Sequence, residues 1–262
     1  MKVDYVAVSS TCDSFYLDFW PIVSRIWKKK FNYTPVLFLV HTDKSIRPTE
    51  EFGEVVYFEP LPDVPLNIQA QCSRYWLPST KPDAIWMTSD IDMFPISRSY
   101  FIDSLANIPN DKFVNMNARG VGIFPCCYNV AMGKTYKEVI GLPDSYEEYL
   151  KQTKWQDFKK DHTPQNSGIS MSHWGIDEWY PNQQMKRYNE THVGEHKFVM
   201  TTRNGSPPRD TCPLRVDRQS SNRWNRDHVV NERYIDAHSL RPYTQHKHDI
   251  DTLVALIMKE HQ

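Results

Sequence analysis

The first hundred residues alternate apolar runs with segments of helical periodicity. Four runs rich in β-branched and aromatic residues predict strands: Val3 to Ser9, Val36 to Val40, Val55 to Phe58 and Ala84 to Thr88. Two helices are predicted among them, one with the apolar face Ile22, Val23, Ile26 and Trp27, and one from Leu66 to Leu77. This alternation predicts an α/β fold with a mainly parallel central sheet, flanked by helices and joined by right-handed crossovers.

The second half of the chain is less regular. Its predicted strands are Phe113 to Asn117, Ile123 to Ala131 and Tyr234 to His238, and its predicted helices are Tyr146 to Phe158 and Asp249 to Lys259. The segment from Arg203 to Arg226 is rich in Pro, Asn, Ser and Arg, a composition typical of a loop. We expect a single domain over residues 1–262, in which the second half elaborates the first.

Charge and cysteine content argue against several classes of protein. Lys and Arg number 31 against 32 Asp and Glu, whereas a protein that grips a nucleic-acid backbone usually carries a basic excess. The five cysteines have no CxxC spacing, and their odd number does not indicate a disulfide framework. The N-terminus lacks a signal-peptide layout, and no apolar run reaches the ~20 residues of a membrane helix. We therefore expect a cytoplasmic protein without a nucleic-acid partner or a transmembrane segment.

Two carboxylates, Asp90 and Asp92, follow the predicted strand Ala84 to Thr88. In open α/β sheets, ligands bind outside the carboxyl ends of the strands. Residues two apart on an extended chain point the same way, so both carboxylates can face one site. Two adjacent anions repel each other unless a cation neutralises them, and carboxylate oxygens suit Mg²⁺ or Mn²⁺. The alternative is an ordinary turn, because an Asp-x-Asp tripeptide is frequent by chance.

The segment Leu66 to Pro95 resembles the core of GT-A-type glycosyltransferases, in which a helix precedes a strand that ends in an Asp-x-Asp motif. The resemblance implies a GT-A (Rossmann-like) fold with a nucleotide-binding half, residues 1–100, and a less regular acceptor-binding half, residues 101–262. It implies that Asp90, Ile91 and Asp92 contact a nucleotide-sugar and that the two carboxylates hold Mn²⁺ or Mg²⁺. Some retaining members carry a basic residue on the helix, so Arg74 would contact Asp90 or the diphosphate. Its alternative is a surface arginine.

A second segment, Met171-Ser-His-Trp-Gly-Ile-Asp177-Glu178-Trp179, resembles the aromatic-Gly-x-acid-acid segment that many GT-A enzymes carry. In inverting members a carboxylate here is the general base for the acceptor hydroxyl, a role that needs hydrogen-bond reach. The resemblance implies that Glu178 is the base and that Asp177 binds the acceptor. The order Asp-Glu, where Glu-Asp is commoner, leaves the reverse assignment open. The alternative is a helix start, where acidic side chains are stabilised by the helix dipole.

The resemblance also implies contacts elsewhere in the chain. GT-A enzymes often supply a late metal ligand, commonly His, and His238 ends a predicted strand whereas His246 and His248 do not. The polar positions after the first two strands resemble the base and ribose contacts of the fold, and they are Ser9, Ser10, Thr11 and Asp43. Four arginines in the C-terminal part of the chain either bind phosphate or are solvent-exposed residues of a loop: Arg215, Arg218, Arg223 and Arg226.

Taken together, the resemblance implies a metal-dependent glycosyltransferase. It would move a sugar from a nucleotide-diphosphate sugar to a hydroxyl of a glycan or other acceptor. UDP is the preferred nucleotide and GDP the second choice. We expect inversion at the anomeric carbon, and retention is the alternative. A sugar-nucleotide nucleotidyltransferase shares much of the topology, but it begins with a Gly-rich loop where this chain has Val8-Ser-Ser-Thr-Cys-Asp-Ser14. A catalytically inactive carbohydrate-binding module of GT-A type is the other alternative. The enzyme is preferred because the Asp-x-Asp motif, the acid pair and the late His occur together.

Overall fold

The computed structural model describes residues 1–116, 125–157, 175–200 and 215–259. The strands are β1 Tyr5–Thr11, β2 Thr34–Val40, β3 Glu54–Phe58, β4 Ile85–Thr88, β5 Met93–Pro95, β6 Phe113–Asn115, β7 Asn129–Met132, β8 Phe198–Met200, β9 Val216–Asp217 and β10 Asp236–His238. The α-helices are α1 Ser14–Leu17, α2 Trp20–Ile26, α3 Leu66–Trp76, α4 Arg98–Phe101, α5 Gly133–Ile140, α6 Tyr146–Gln152, α7 Ile176–Thr191, α8 Arg226–Val230 and α9 Tyr243–Ile257.

Seven strands form the central sheet in the order β3-β2-β1-β4-β7-β6-β8. β1 pairs in parallel with both β2 and β4, and β2 pairs in parallel with β3. β7 runs antiparallel to its neighbours β4 and β6, and β8 is again parallel to β6. The predicted α/β fold with a mainly parallel central sheet and flanking helices is confirmed.

The direction of strand addition reverses at β1. The chain builds outward from β1 through β2 to β3, and then returns through α3 to place β4 on the other side of β1. At such a switch point the two connections leave on opposite sides, which opens a crevice at the carboxyl ends of the two central strands. The polar end of β1 and the Asp-x-Asp motif after β4 therefore meet at the same crevice.

The apolar patterns of the first half correspond to a buried core. Residues 35–40 of β2 are all buried, as a continuous apolar run in a covered parallel strand requires. The predicted helical face places Val23, Ile26 and Trp27 at 0% exposure against the sheet, although α2 ends at Ile26 and a π-helical turn, Trp27–Phe31, follows it. Burial of a side chain the size of Trp27 removes a large apolar area from water.

The structure contains elements that the sequence pattern did not predict, among them β5 near the end of the first half and α5, α7 and β8 in the second. α7 was missed because its apolar residues are spread around the helix, which packs against both α3 and α5. The final helix begins at Tyr243, earlier than the predicted Asp249, and the described part of the predicted loop contains β9. Residues 117, 123–124, 158, 171–174 and 203–214, over which other predictions extend, lie outside the described residues.

A second sheet of three strands, in the order β5-β10-β9, lies beside the Asp-x-Asp motif. β5 begins one residue after Asp92, so whatever pairs with β5 is brought next to that carboxylate. Within the described ranges, no helix is both long and apolar enough to cross a lipid bilayer.

Candidate active site

A cavity of about 830 Å³ opens at the carboxyl ends of β1 and β4 and extends to α3 and α7. Its volume lies in the range of about 300–1,000 Å³ that is usual for small-molecule sites. Eleven of the candidate site residues named from the sequence line it together: Ser9, Ser10, Thr11, Arg74, Asp90, Ile91, Asp92, Asp177, Glu178, Arg218 and His238. Residues separated by more than two hundred positions are therefore gathered around one space.

The two carboxylates of the Asp-x-Asp motif face different partners across this cavity. β4 ends at Thr88 and the chain turns, with the Met93 amide donating to the Asp90 carbonyl at 3.3 Å. The rule that residues two apart share a face holds only for extended chain, so it does not apply here. Asp90 is part-exposed and points to Arg74, whereas Asp92 is 4% exposed and faces the second sheet. Both carboxylates still line the same cavity.

Arg74 joins the two acidic motifs of the sequence. It is 5% exposed on α3, and its guanidinium forms ion pairs with Asp90 and with Asp177, the latter at 2.5 Å from Nη2 to Oδ2. A buried arginine needs such partners because an unpaired charge in the interior is strongly destabilising. The alternative of a surface arginine is wrong, since this side chain is buried at the floor of the cavity.

His238 is carried to Asp92 by the second sheet. β10 pairs antiparallel with β5 and parallel with β9, which sets His238 opposite Met93 on one side and Asp217 on the other. The Nε2 atom lies 3.0 Å from Arg218 Nη2, and the Nδ1 atom lies 3.1 Å from Asp217 Oδ1. A guanidinium can only donate, so in the neutral imidazole Nε2 is the acceptor from Arg218 and Nδ1 donates its proton to Asp217. This is the tautomer in which a histidine can bind a metal through Nε2.

One oxygen of Asp92 has no well-aligned hydrogen bond. Asp92 Oδ2 is buried and lies 3.3 Å from His238 Nε2 and 3.3 Å from Arg241 Nε without satisfying the geometry of a hydrogen bond to either. Burial alone would raise the pKa of Asp92, but the positive charges of a protonated His238 and of Arg241 outweigh burial and hold the pKa below its ordinary value. In the neutral imidazole, Nε2 instead faces the carboxylate oxygen with a lone pair, an arrangement that a shared cation stabilises.

The acid pair begins α7, with Gly175 at φ 95° as the residue before the helix. Asp177 is 5% exposed and is held by Arg74, so it is not free to approach a substrate. Glu178 is half-buried at the cavity wall, and its Oε1 accepts a hydrogen bond from the Cys126 amide at 3.3 Å. The two acids therefore have distinct environments, although both occupy the first turn of a helix where negative charge is favoured.

The structure adds residues that the sequence analysis did not select. Arg241 lies over the rings of Phe15 and Tyr16 at 5.6 and 5.0 Å, and its Nη1 donates to the Tyr16 hydroxyl at 2.5 Å. Cys126 also lines the cavity, beside Cys127. The hydrogen bond with Cys127, and burial, raise the pKa of the Cys126 thiol well above its ordinary value. An Arg before a Pro and two adjacent Cys residues carry no spacing that would have marked them in the sequence.

Several predicted contacts do not reach the cavity. Asp43 is exposed and accepts hydrogen bonds from the amide and hydroxyl of Ser45 at 2.9 and 2.7 Å, although its neighbour Thr42 lines the cavity. His246 and His248 lie in α9 and do not line it, which leaves His238. Of the four arginines, Arg218 lines the cavity, Arg215 is paired with the buried Asp236, and Arg223 and Arg226 are exposed outside it.

No protein-family profile matches the sequence, and no curated protein matches it. Among solved structures, the glycosyltransferase GlyE of Streptococcus pneumoniae TIGR4 superposes with a TM-score of 0.41 at 10% identity, over 77% of this chain and 45% of that one. The galactosyltransferase LgtC, in complex with donor and acceptor sugar analogs, gives 0.46 at 8% identity, over 97% of this chain and 95% of that one. The bifunctional glycosyltransferase WbbM gives 0.39 at 9% identity, over 99% of this chain and 50% of that one.

The chain spans less than half the length of the GlyE structures. TM-scores below 0.5 do not by themselves assign an activity to it. The central sheet of this chain has the α/β architecture that the sequence resemblance implies.

Proposed function

We propose that this protein is a metal-dependent glycosyltransferase. It transfers a sugar from a nucleotide-diphosphate sugar, with UDP preferred and GDP next, to a hydroxyl of a glycan or other acceptor. The observation that carries the proposal is the meeting of Asp90, Asp92, Arg74, Arg241 and His238 in one cavity at the switch point of the sheet. Carboxylates, guanidinium groups and a neutral imidazole at one site suit a diphosphate accompanied by a divalent cation.

The residues available for the diphosphate are Arg218 and Arg241. Both line the cavity: Arg241 lies 3.3 Å from Asp92, Nε to Oδ2, and Arg218 contacts His238. Arginine offers a planar fork of donors that matches phosphate oxygens, so these two side chains can orient the diphosphate. The nucleoside would extend toward the polar end of β1, where Ser9 and Thr11 line the same cavity.

The residues present fit a divalent cation. Asp92 offers a buried carboxylate oxygen without an aligned hydrogen bond, and His238 offers Nε2 with Asp217 behind it to fix the tautomer. The three predicted metal ligands, Asp90, Asp92 and His238, do not form one compact cluster among the described residues. Asp90 would join the other two as a ligand only after its ion pair with Arg74 is broken. A divalent cation, Mn²⁺ or Mg²⁺, would neutralise the charge that develops on the departing nucleoside diphosphate.

Glu178 is the better placed of the two acids to act as the general base. It lines the cavity, whereas the carboxylate of Asp177 is engaged by Arg74 and keeps that cation in position. Glu178 would accept the proton of the acceptor hydroxyl as that oxygen attacks the anomeric carbon, which gives inversion. Asp177 then supports the site through Arg74 and is a positioning residue.

The decisive experiment uses the purified protein with a panel of UDP- and GDP-sugars and Mn²⁺, and measures the nucleoside diphosphate released. We expect turnover of at least one donor, loss of turnover with EDTA, and its return with Mn²⁺ or Mg²⁺. Full turnover by the chelated protein would contradict metal dependence. Failure to hydrolyse or transfer from any nucleotide-sugar, together with binding of free glycans, would favour the carbohydrate-binding alternative.

A further inference from the structure

Two adjacent thiols lie beside the first carboxylate of the Asp-x-Asp motif. The Sγ atoms of Cys126 and Cys127 and a carboxylate oxygen of Asp90 all lie within 4.8 Å of one another. Both cysteines are buried, at 7% and 5% exposure, and Cys126 lines the cavity. The three side chains are therefore gathered in one place that opens to the cavity on one side.

The backbone of this thiol pair is held firmly against β4. The Cys126 carbonyl accepts hydrogen bonds from the Thr88 hydroxyl and from Asn129 Nδ2, the latter at 3.2 Å. Asn129 is itself fully buried, and its Nδ2 also donates to the Pro125 carbonyl at 2.9 Å. The thiols are consequently positioned by the end of the same strand that delivers Asp90, rather than by a free loop.

The chemistry of these three groups differs from that of Asp92 and His238. Thiolates are soft ligands that select Zn²⁺ and similar metals, whereas Mn²⁺ and Mg²⁺ prefer oxygen. Two sulfurs on a tetrahedral Zn²⁺ lie roughly 3.8 Å apart, given Zn–S bonds of about 2.3 Å. Shifts of about 1 Å or less would bring the three ligand atoms from their present spacing to that geometry. A fourth position would remain open toward the cavity.

We propose that Asp90, Cys126 and Cys127 form a zinc site, and that zinc bound there inhibits the protein. Binding forms two Zn–S bonds and one Zn–O bond, and the two thiol protons pass to solvent. Asp90 leaves Arg74 to join the zinc, and Arg74 keeps its ion pair with Asp177. Asp90 is then withdrawn from the nucleotide-sugar site. The inhibitory effect rests on the proposed glycosyltransferase function, whereas zinc binding does not.

The binding test is a titration of the protein with Cd²⁺, a spectroscopic substitute for Zn²⁺, followed by the thiolate-to-cadmium absorption band in the ultraviolet. We expect the band to saturate at one equivalent. Cys126→Ser and Cys127→Ser should each lose most of it. Cys12→Ser is the matched control, because Cys12 lines the same cavity outside the cluster and its loss should leave the band intact. A wild-type protein without the band, or both variants with an undiminished band, would overturn the proposal.

Protection from alkylation tests the same site without any substitution. One equivalent of Zn²⁺ should slow modification of Cys126 and Cys127 by a thiol reagent, detected by mass spectrometry, and should leave the modification of Cys12 unchanged. Equal slowing at Cys12 would point to non-specific zinc binding and would contradict the site. If transfer activity is found, the ratio of rates with and without Zn²⁺ should return toward one in Cys127→Ser. A protein that binds cadmium at the two thiols but transfers no sugar would refute the proposed function alone.

Discussion

Arg74 determines how the two acidic motifs of this protein divide their roles. It stands between Asp90 and Asp177, which are far apart in sequence, and it is buried together with Asp177 near the cavity floor, whereas Asp90 is part-exposed. Removing one partner of a buried ion pair leaves the other charge uncompensated, which is more destabilising than the pair was stabilising. Asp177 thus compensates the buried charge of Arg74, whereas Glu178, one residue later, does not pair with it.

Replacement of Asp177 should therefore act on stability. Asp177→Asn removes the charge that faces Arg74, and we expect a loss of about 3 kcal/mol, the lower end for breaking a buried pair, because the amide oxygen still accepts a hydrogen bond. For a chain of this size that corresponds to a fall in Tm of roughly 6–12 °C in calorimetry. Asp144→Asn is the control, since Asp144 is 94% exposed and pairs with Lys137 at the surface. An unchanged Tm for Asp177→Asn would show that the pair with Arg74 contributes nothing.

Replacement of Glu178 should instead act on catalysis. If Glu178 accepts the proton of the acceptor, Glu178→Gln should lower kcat by roughly 10²–10⁴-fold at unchanged donor affinity, the usual effect of removing a general base. Glu147→Gln is the matched control, because Glu147 also lies in the first turn of a helix, α6, outside the cavity. Normal turnover by Glu178→Gln would reduce the acid pair to a helix start and would leave the base unassigned.

Asp92 provides the residue-scale test of the metal. The Asp92→Asn substitution keeps the shape of the side chain but removes the charge that would bind a cation, so affinity for the nucleoside diphosphate with Mn²⁺ should fall by at least tenfold. The far-ultraviolet circular dichroism should not change. Calorimetric titration with UDP or GDP measures the effect. Equal affinity in the wild type and the variant would exclude Asp92 as a metal ligand.

At the scale of elements, the small sheet is what completes the site. β9 and β10 are short, yet β10 pairs with β5 and β9 pairs with β10, which places His238 between Asp92 and Asp217. The amide of Ser239 also donates to the Asp92 carbonyl at 2.9 Å, which ties the end of β10 to the motif. The backbone of His238 is thus fixed by strand pairing on both sides, so the small sheet sets the position of the imidazole.

The carboxylate behind His238 gives the element-scale prediction. Asp217→Asn replaces the charged carboxylate that holds the Nδ1 proton by a neutral amide, and loss of such a supporting carboxylate typically costs 10–100-fold in metal affinity. We expect that reduction for Mn²⁺, measured by electron paramagnetic resonance of the free ion. Asp251→Asn, which disrupts a surface pair with Lys247 on α9, should bind Mn²⁺ as the wild type does. If both variants bind Mn²⁺ equally well, His238 is not positioned through Asp217.

At the scale of the whole molecule, the cavity joins halves of the chain that are distant in sequence. Residues from β1, α3, the turn after β4, α7 and β10 all line it, so a ligand there contacts both halves at once. A ligand that binds only the folded state stabilises the whole structure in proportion to the logarithm of its concentration. The near-neutral net charge of -1 makes nonspecific attraction of a polyanion a poor alternative source of such stabilisation.

The whole-molecule prediction is a thermal shift. UDP or GDP with Mn²⁺, at a hundredfold excess over Kd, should add about 2.7 kcal/mol and raise Tm by roughly 5–11 °C. Nucleotide or Mn²⁺ alone should raise Tm less. Without Mn²⁺ the negative charges of the diphosphate face the carboxylates of the site, and without nucleotide Mn²⁺ lacks the phosphate oxygens as ligands. A shift with free sugars, and none with any nucleotide, would support the carbohydrate-binding alternative and contradict the proposed donor.

The sequence by itself determined β1 to β4, α2, α3 and the identity of the central motif. The continuous apolar run of β2 predicts a strand covered on both faces, and the alternation of strands with α2 and α3 predicts parallel pairing, because both signals are local in the chain. Asp90 and Asp92 were recognisable for the same reason, since they directly follow a buried strand.

Only the tertiary structure decided which side chains meet. The pairing of β10 with β5, the ion pair of Arg74 with Asp177 and the approach of the Cys126 and Cys127 thiols to Asp90 all join residues far apart in sequence. No periodicity encodes such contacts, because they depend on how strands are ordered in two sheets. The turn after β4 likewise decided that Asp90 and Asp92 face different partners, a choice set by the local bend of the backbone where the strand ends.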